Sequence, residues 1–168
     1  MTQNAAEFGE ILREHQAMVF SIALRFVRDR SVAEELAQDV FLKLYGELPR
    51  LESREHVRFW LRKVTSHRAL DYLRSVHRRS ELALDDVPEP TVVAAQDDLL
   101  LEGFLRKMVS SLPDQSRAVI VLRFQEDMQP QEIAELLGVS SATVKSRLRR
   151  SLALLRGKVQ RLVGEPIR

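Results

Sequence analysis

The 168-residue chain contains no cysteine. That absence excludes disulfides, thiol nucleophiles and cysteine-ligated zinc or redox centres as working parts, and it suits a reducing cytoplasm. Glycine and proline are scarce, six of each, and the glycines stand singly. Neither a phosphate-cradling glycine-rich loop nor a nucleophile elbow is therefore present. No stretch approaches the roughly 20 apolar residues that a membrane span needs, so no membrane insertion is expected. Acids among the first residues, Glu7 and Glu10, argue against a signal peptide. A strong charge of one sign is also lacking: the formal net charge is only +2. Composition alone does not mark a nucleic-acid binder, and the placement of charge has to decide.

What is there is helical. Hydrophobic residues make up 45% of the chain and charged residues 30%, enough for real cores under a well-solvated surface. Val19, Ile22, Ala23 and Phe26 recur at i, i+3, i+4 and i+7, the apolar stripe of an amphipathic helix. Asp29-Arg30 interrupts it, and Ser31-Val32-Ala33-Glu34 reads as a capping box that opens a second helix. That helix is expected to run to about Tyr45, with Leu36, Val40, Phe41 and Leu44 on its apolar side. Gly46 to Arg54, containing Pro49, reads as a loop. A third helix follows from about Glu55 to Arg79, carrying Val57, Trp60, Leu61, Val64, Leu70 and Leu73. The helical spacing of Trp60 with Val64 favours core packing over base stacking for the indole.

From Ser80 to Gln96 the character changes. Asp85, Asp86 and Glu89 stand with Pro88 and Pro90, and no aromatic, Lys or Arg occurs. Such a stretch buries little surface and cannot offset its ordering entropy, which reads as a flexible linker between two domains. The expected architecture is all-α: a helical bundle over 1–79, a linker over 80–97, and a second helical domain over 98–168. In the latter, Leu100, Phe104, Leu105 and Met108 share one helix. Pro113, at a first-turn position, opens another through Val119, Ile120, Leu122 and Phe124.

Gln129 to Leu148 has the grammar of a helix-turn-helix. Pro130 suits a first turn, Ile133, Leu136 and Leu137 supply a buried face, and Ala134 is small where helices cross. Gly138 falls where the chain leaves a helix with positive φ, Val139 plugs the turn, and Ser140 is placed to cap the second helix. Gln129 is a poor N-cap. On the second helix Val144, Leu148, Ser151 and Leu155 form one side. The opposite arc carries Thr143, Ser146, Arg149 and Arg150, flanked by Lys145 and Arg147, and no acid occurs between Glu135 and Glu165. A recognition helix of this kind places Arg and Lys against guanine edges and phosphates in the major groove.

The third helix is also cationic: Arg58, Arg62, Lys63, Arg68, Arg74, Arg78 and Arg79 against Glu55 and Asp71. On the second helix Glu35, Gln38 and Asp39 stand at i, i+3 and i+4, one polar patch opposite Val40. His67 and Asp71, at i and i+4, lack a third ligand and read as a surface ion pair rather than a metal site. His15, His56 and His77 form no cluster. No metal, cofactor or catalytic constellation is expected, and the chain does not read as an enzyme.

The whole arrangement resembles the extracytoplasmic-function (ECF) sigma factors. Ala33-Glu34-Glu35-Leu36-Ala37-Gln38-Asp39-Val40-Phe41-Leu42, and Phe59-Trp60-Leu61 through Asp71-Tyr72-Leu73-Arg74, look like the family's domain two. Leu112-Pro113 through Arg156, with Glu132-Ile133-Ala134 and Thr143-Val144-Lys145-Ser146-Arg147, look like its domain four. The resemblance implies a transcription initiation factor whose Glu35, Gln38 and Asp39 contact the clamp helices of RNA polymerase core. It implies that the third helix and the loop before it open the downstream (minus ten) promoter element. Leu51, Val64 and His67 would capture a flipped base there, with Arg62, Lys63 and Arg74 along the strand. The family more often carries Asn at the His67 position, which leaves the captured base open. The upstream (minus thirty-five) element would be read as duplex by Ser140, Thr143, Lys145, Ser146, Arg147, Arg149 and Arg150. The linker would thread the polymerase, and an anti-sigma factor is the further partner implied. Two other classes compete: an autonomous helix-turn-helix regulator gripping an operator unaided, and a helical adaptor with no salt-sensitive DNA affinity.

Overall fold

The computed structural model describes residues 2–82 and 100–164, so residues 83–97 of the expected linker lie outside the described residues. The chain divides into two compact units, 1–92 and 93–168. Every regular element among the described residues is helical.

The first unit is built from three long helices. In α1 (Thr2–Val27) the stripe Val19, Ile22, Ala23 and Phe26 is fully buried, as its spacing predicts. The helix stops because Arg28 takes a left-handed conformation, φ 61°, which is rare for a residue with a Cβ. That reversal sets Asp29 extended, and its carboxylate accepts the Val32 N–H at 3.1 Å as the N-cap of α2 (Arg30–Glu47). The expected Ser31/Glu34 capping box is thus replaced. Ser31 is an exposed first-turn residue, and Glu34 instead accepts from Arg30 at 3.1 Å. The helix also runs two residues past Tyr45. Its continuation, expected as a loop, is a 3-10 turn over Leu48–Arg50 that sinks Leu48 into the core. Ser53 caps α3 (Arg54–Leu82) by accepting from the His56 N–H at 3.1 Å.

Helix α1 packs against both others. Val19, Val40, Phe41, Leu44, Leu48, Val57 and Leu61 form one cluster, and Trp60 packs against its edge. Each such side chain contributes about 1.5–3 kcal/mol on leaving water. Leu36, expected on the same side, is only half-buried because the core contacts favour Ala33, Val40 and Leu44.

The second unit comprises α4 (Leu100–Ser110), α5 (Asp114–Ile120), α6 (Pro130–Leu137) and α7 (Ser141–Val163). Pro113 caps α5 rather than opening it: its backbone is extended, and its carbonyl accepts the Arg117 N–H at 2.8 Å. Beyond α5 the helix widens into a π turn over Val121–Gln125, with Glu126 N–H reaching back to the Val121 carbonyl at 3.2 Å. The widening takes Phe124 off the buried stripe. It stands 60% exposed under the Arg123 guanidinium, while Val119, Ile120 and Leu122 are buried. Leu105 likewise faces outward, and Met108 is the buried residue of α4. No helix among the described residues is long and apolar enough to cross a membrane.

Candidate nucleic-acid interface

In the second unit the site is a helix-turn-helix formed by α6 and α7. The Glu132 carboxylate reaches back to the Gln129 N–H at 2.7 Å, which supports α6 although Gln129 itself is a weak cap. Gly138 ends the helix with φ 67°. The Val139 N–H returns to the Ala134 carbonyl at 3.0 Å, and Ile133 and Leu136 are fully buried beneath the turn. Ser140 caps α7 by accepting the Thr143 N–H at 3.1 Å, with the two hydroxyl oxygens 2.8 Å apart. Val144 and Ser151 turn inward, and the Ser151 hydroxyl donates to the Arg147 carbonyl at 2.6 Å.

This anchoring decides which cations face outward. Lys145, Arg149 and Arg150 are exposed, whereas Thr143 and Ser146 are half-buried alongside them. Arg147 is braced sideways, its guanidinium donating to Gln115 of α5 at 3.2 Å. Six of the seven residues expected at the upstream element therefore lie on the open side or N-terminal turn of one helix. Arg147 sits at the flank and ties α7 to α5.

A residue that sequence reasoning missed underlies this platform. Arg117 of α5 is 1% exposed, and its guanidinium donates to the Leu112 carbonyl at 2.8 Å and to Asp114 at 2.8 Å. It closes the turn between α4 and α5. The only hint in sequence is the i, i+3 spacing with Asp114, which usually marks a surface pair. A second missed feature is a groove of about 410 Å³ between α4 and α7. Phe104, Met108 and Leu162 line it together with Lys107, Lys158 and Arg161.

In the first unit Glu35, Gln38 and Asp39 are all exposed on the face of α2 opposite Val40. Asp39 is not isolated: it accepts from Arg68 of α3 at 3.1 Å. Along α3, Lys63, His67 and Arg74 are exposed, and Arg62 is half-buried. Arg74 pairs with Asp71 on its own helix. Leu51 and Val64 are half-buried, both packed against the core cluster, as is Trp60. His67 lies one turn beyond Val64. The structure thus groups Leu51 and Val64 by their shared core and leaves His67 on the open side of the same helix.

The chain matches two family models in order: Sigma-70 region 2 over residues 11–79, and Sigma-70, region 4, over residues 105–155. It is 31% identical over 150 residues to the RNA polymerase sigma-E factor of Streptomyces coelicolor, covering 89% of this chain and 84% of that one. It is 30% identical over 158 residues to the ECF RNA polymerase sigma factor SigE of Mycolicibacterium smegmatis, covering 89% of this chain and 60% of that protein. A protein of Xanthomonas campestris named probable RNA polymerase sigma factor RfaY is 32% identical over 160 residues. That match covers 90% of this chain but only 40% of the longer relative. Among solved structures, the sigma factor RpoE of Bartonella quintana, crystallised with the anti-sigma factor NepR, superposes with a TM-score of 0.75. The identity is 20%, with 92% of this chain and 97% of that one covered, and it shows a shared fold. With a polar α2 and cationic α3 in one unit, a basic helix-turn-helix in the other, and both family models in that order, the chain belongs to the ECF subfamily of RNA polymerase sigma factors, which are transcription initiation factors and not enzymes.

Proposed function

We propose that this sigma factor divides its work among three surfaces. As a member of its family it directs RNA polymerase to specific promoters. Residues 1–79 would form the module that docks on core polymerase through Glu35, Gln38 and Asp39. The same module would open the downstream element with α3, holding the strand by Arg62, Lys63 and Arg74 and a flipped base near Leu51, Val64 and His67. Unstacking that base costs a few kcal/mol, which phosphate attraction and burial of the base recover. Residues 98–168 would read the upstream element as duplex. Ser140, Thr143, Lys145, Ser146, Arg149 and Arg150 face the groove in this reading, with Arg147 at its edge. Residues 80–97 would join the two modules.

The observation that carries the reading is the one-signed open face of α7, which is fixed by Ser140 at one end and by Val144 and Ser151 beneath. An autonomous regulator accounts for that face but leaves the second cationic helix, α3, without a task. The protein acts in the cytoplasm, where polymerase is. An anti-sigma factor is the further partner proposed. The solved relative's complex supports it, and the α4–α7 groove, with Phe104, Met108 and Leu162 beside Lys107, Lys158 and Arg161 in its lining, suits an acidic amphipathic helix.

Runoff transcription with core polymerase, this protein and genomic templates tests the whole. Replacing Arg149 and Arg150 by Ala lowers upstream-element recognition by about tenfold or more, since one arginine–guanine pair discriminates by about 1–3 kcal/mol. Core binding in a pull-down stays unchanged. No transcript from any template, together with no recovery by core, overturns the proposal.

A further inference from the structure

The Asp39–Arg68 pair joins two surfaces to which different partners have been assigned. Asp39 stands in the polar patch of α2, whereas Arg68 lies on α3, next to His67 and one turn beyond Val64. The pair spans 29 positions of sequence, with the Arg68 guanidinium donating to the Asp39 carboxylate at 3.1 Å. Both side chains are open to solvent, 37% and 55% exposed, so either can be reached by another partner without unfolding anything. The Arg74–Asp71 pair differs, since both members lie on α3 and cannot link one helix to another.

We propose that this pair is a charge hand-over between the polymerase-docking face and the DNA face. It rests on the assignment of α2 to polymerase and α3 to the opened strand. In the free protein the Asp39 carboxylate neutralises Arg68. A basic group of the polymerase that engages Asp39 competes for the carboxylate, and the guanidinium is released to a backbone phosphate. Docking then strengthens the grip on DNA and, by thermodynamic reciprocity, DNA strengthens docking by the same factor. Arg68 is a positioning residue for Asp39 in one state and a phosphate ligand in the other. Exposed pairs of this geometry are weak, and the coupling is correspondingly modest, roughly two- to fivefold. That size suits a device that biases the order of binding without locking the free protein.

The test uses the full chain without polymerase and a fluorescein-labelled oligothymidine as the probe, read by anisotropy across a salt series. Asp39→Asn mimics withdrawal of the charge. It should tighten binding roughly two- to fivefold and steepen the slope of log affinity against log salt by about 0.7, the increment for one added phosphate contact on a single strand. In an Arg68→Gln background the same substitution should give neither change. In an Arg68→Lys background it should give both, because lysine keeps the charge. A purely structural role for the pair would leave the salt slope where it was. Equal tightening in the wild-type and Arg68→Gln backgrounds would show only the removal of one repelling charge, and it overturns the hand-over. An unchanged affinity and slope in Asp39→Asn does so too. Replacing Arg62 and Lys63 by Ala separates the premise from the inference. If that double variant binds oligothymidine like wild type, α3 is not the strand-binding face and both fall. If it binds more weakly while Asp39→Asn changes nothing, only the hand-over fails.

Discussion

Arg117 gives the sharpest test of how the second unit is held together. It is the largest fully buried side chain among the described residues, and its charge is met by Asp114 and the Leu112 carbonyl, each at 2.8 Å. Replacing it by Ala deletes a long buried side chain, a loss of the large-to-small class worth about 2–5 kcal/mol. It also leaves the Leu112 carbonyl without its donor, about 1–3 kcal/mol more if water cannot enter. Asp114 is 23% exposed at its side chain, so water reaches it and its charge is not stranded. A net cost of about 3–8 kcal/mol follows for Arg117→Ala. Methionine fills most of the space and carries no charge to strand, so Arg117→Met costs about half as much. In a domain of this size each kcal/mol moves the midpoint by about 4–8 °C, so the alanine variant should melt at least about 12 °C lower. The chain has a single tryptophan, Trp60, and it packs on the first unit's core. Melting followed by helical circular dichroism should therefore show the lowered transition, whereas melting followed by Trp60 fluorescence should not move. The reasoning is refuted if the alanine variant shifts by only a few degrees, if methionine is as damaging as alanine, or if the fluorescence transition falls in step.

Three further predictions follow from local geometry. Gly138 has φ 67° and open space around its absent Cβ, so Gly138→Ala costs about 1–2 kcal/mol through backbone strain alone. Gly138→Asn costs less, and both show as losses in the circular-dichroism midpoint. Asp29→Ala removes the acceptor for the Val32 N–H and should cost about 1 kcal/mol in the Trp60 fluorescence transition, while Ser31→Ala costs almost nothing. His15 is buried in α1, and desolvation, opposed by Glu14 but aided by Arg58, Arg62 and Arg54, holds its pKa below the ordinary 6.5. The unfolded chain therefore binds this proton more readily than the folded one. The stability that His15 contributes is complete above pH 6.5 and is lost as pH falls through the lowered value. His15→Gln should flatten the acid side of the fluorescence midpoint against pH, and an unchanged profile would refute the assignment.

The helices and most of the helix-turn-helix were legible in sequence because they rest on interactions a few residues apart. Val19, Ile22, Ala23 and Phe26 bury together because helical periodicity leaves no other choice, and Gly138 and Ser140 bond to backbone groups within four residues. The failures share a different cause. Ser31 loses its cap role to Asp29 because Arg28 takes a left-handed conformation that nothing in its residue type announces. Phe124 leaves the stripe because the backbone widens by one residue at Val121. The burial of Arg117 depends on where α4 ends in space, and the pairing of Asp39 with Arg68 depends on how α2 lies on α3. Surface charges read well as patches and poorly as pairs.

The two cationic helices also differ in a way that fits the different DNA proposed for each. Helix α7 presents Lys145, Arg149 and Arg150 from a frame capped at Ser140, seated on Val144 and Ser151, and braced by Arg147 against Gln115. Such a frame loses little freedom when it enters a duplex groove whose shape is already set. The cations of helix α3 are partly paired with carboxylates, Arg74 with Asp71 on the same helix and Arg68 with Asp39 of α2, and half-buried Val64 on α3 and Leu51 before it pack on the core. The positive field of α3 is therefore partly cancelled in the free protein. Its apolar neighbours can receive a base only after that base has left the stack. A chain with a net charge of only +2 gains little from non-specific attraction. On the proposed assignment, holding both surfaces on one polymerase would convert two weak contacts into one intramolecular engagement, and promoter selectivity would come from requiring both at once.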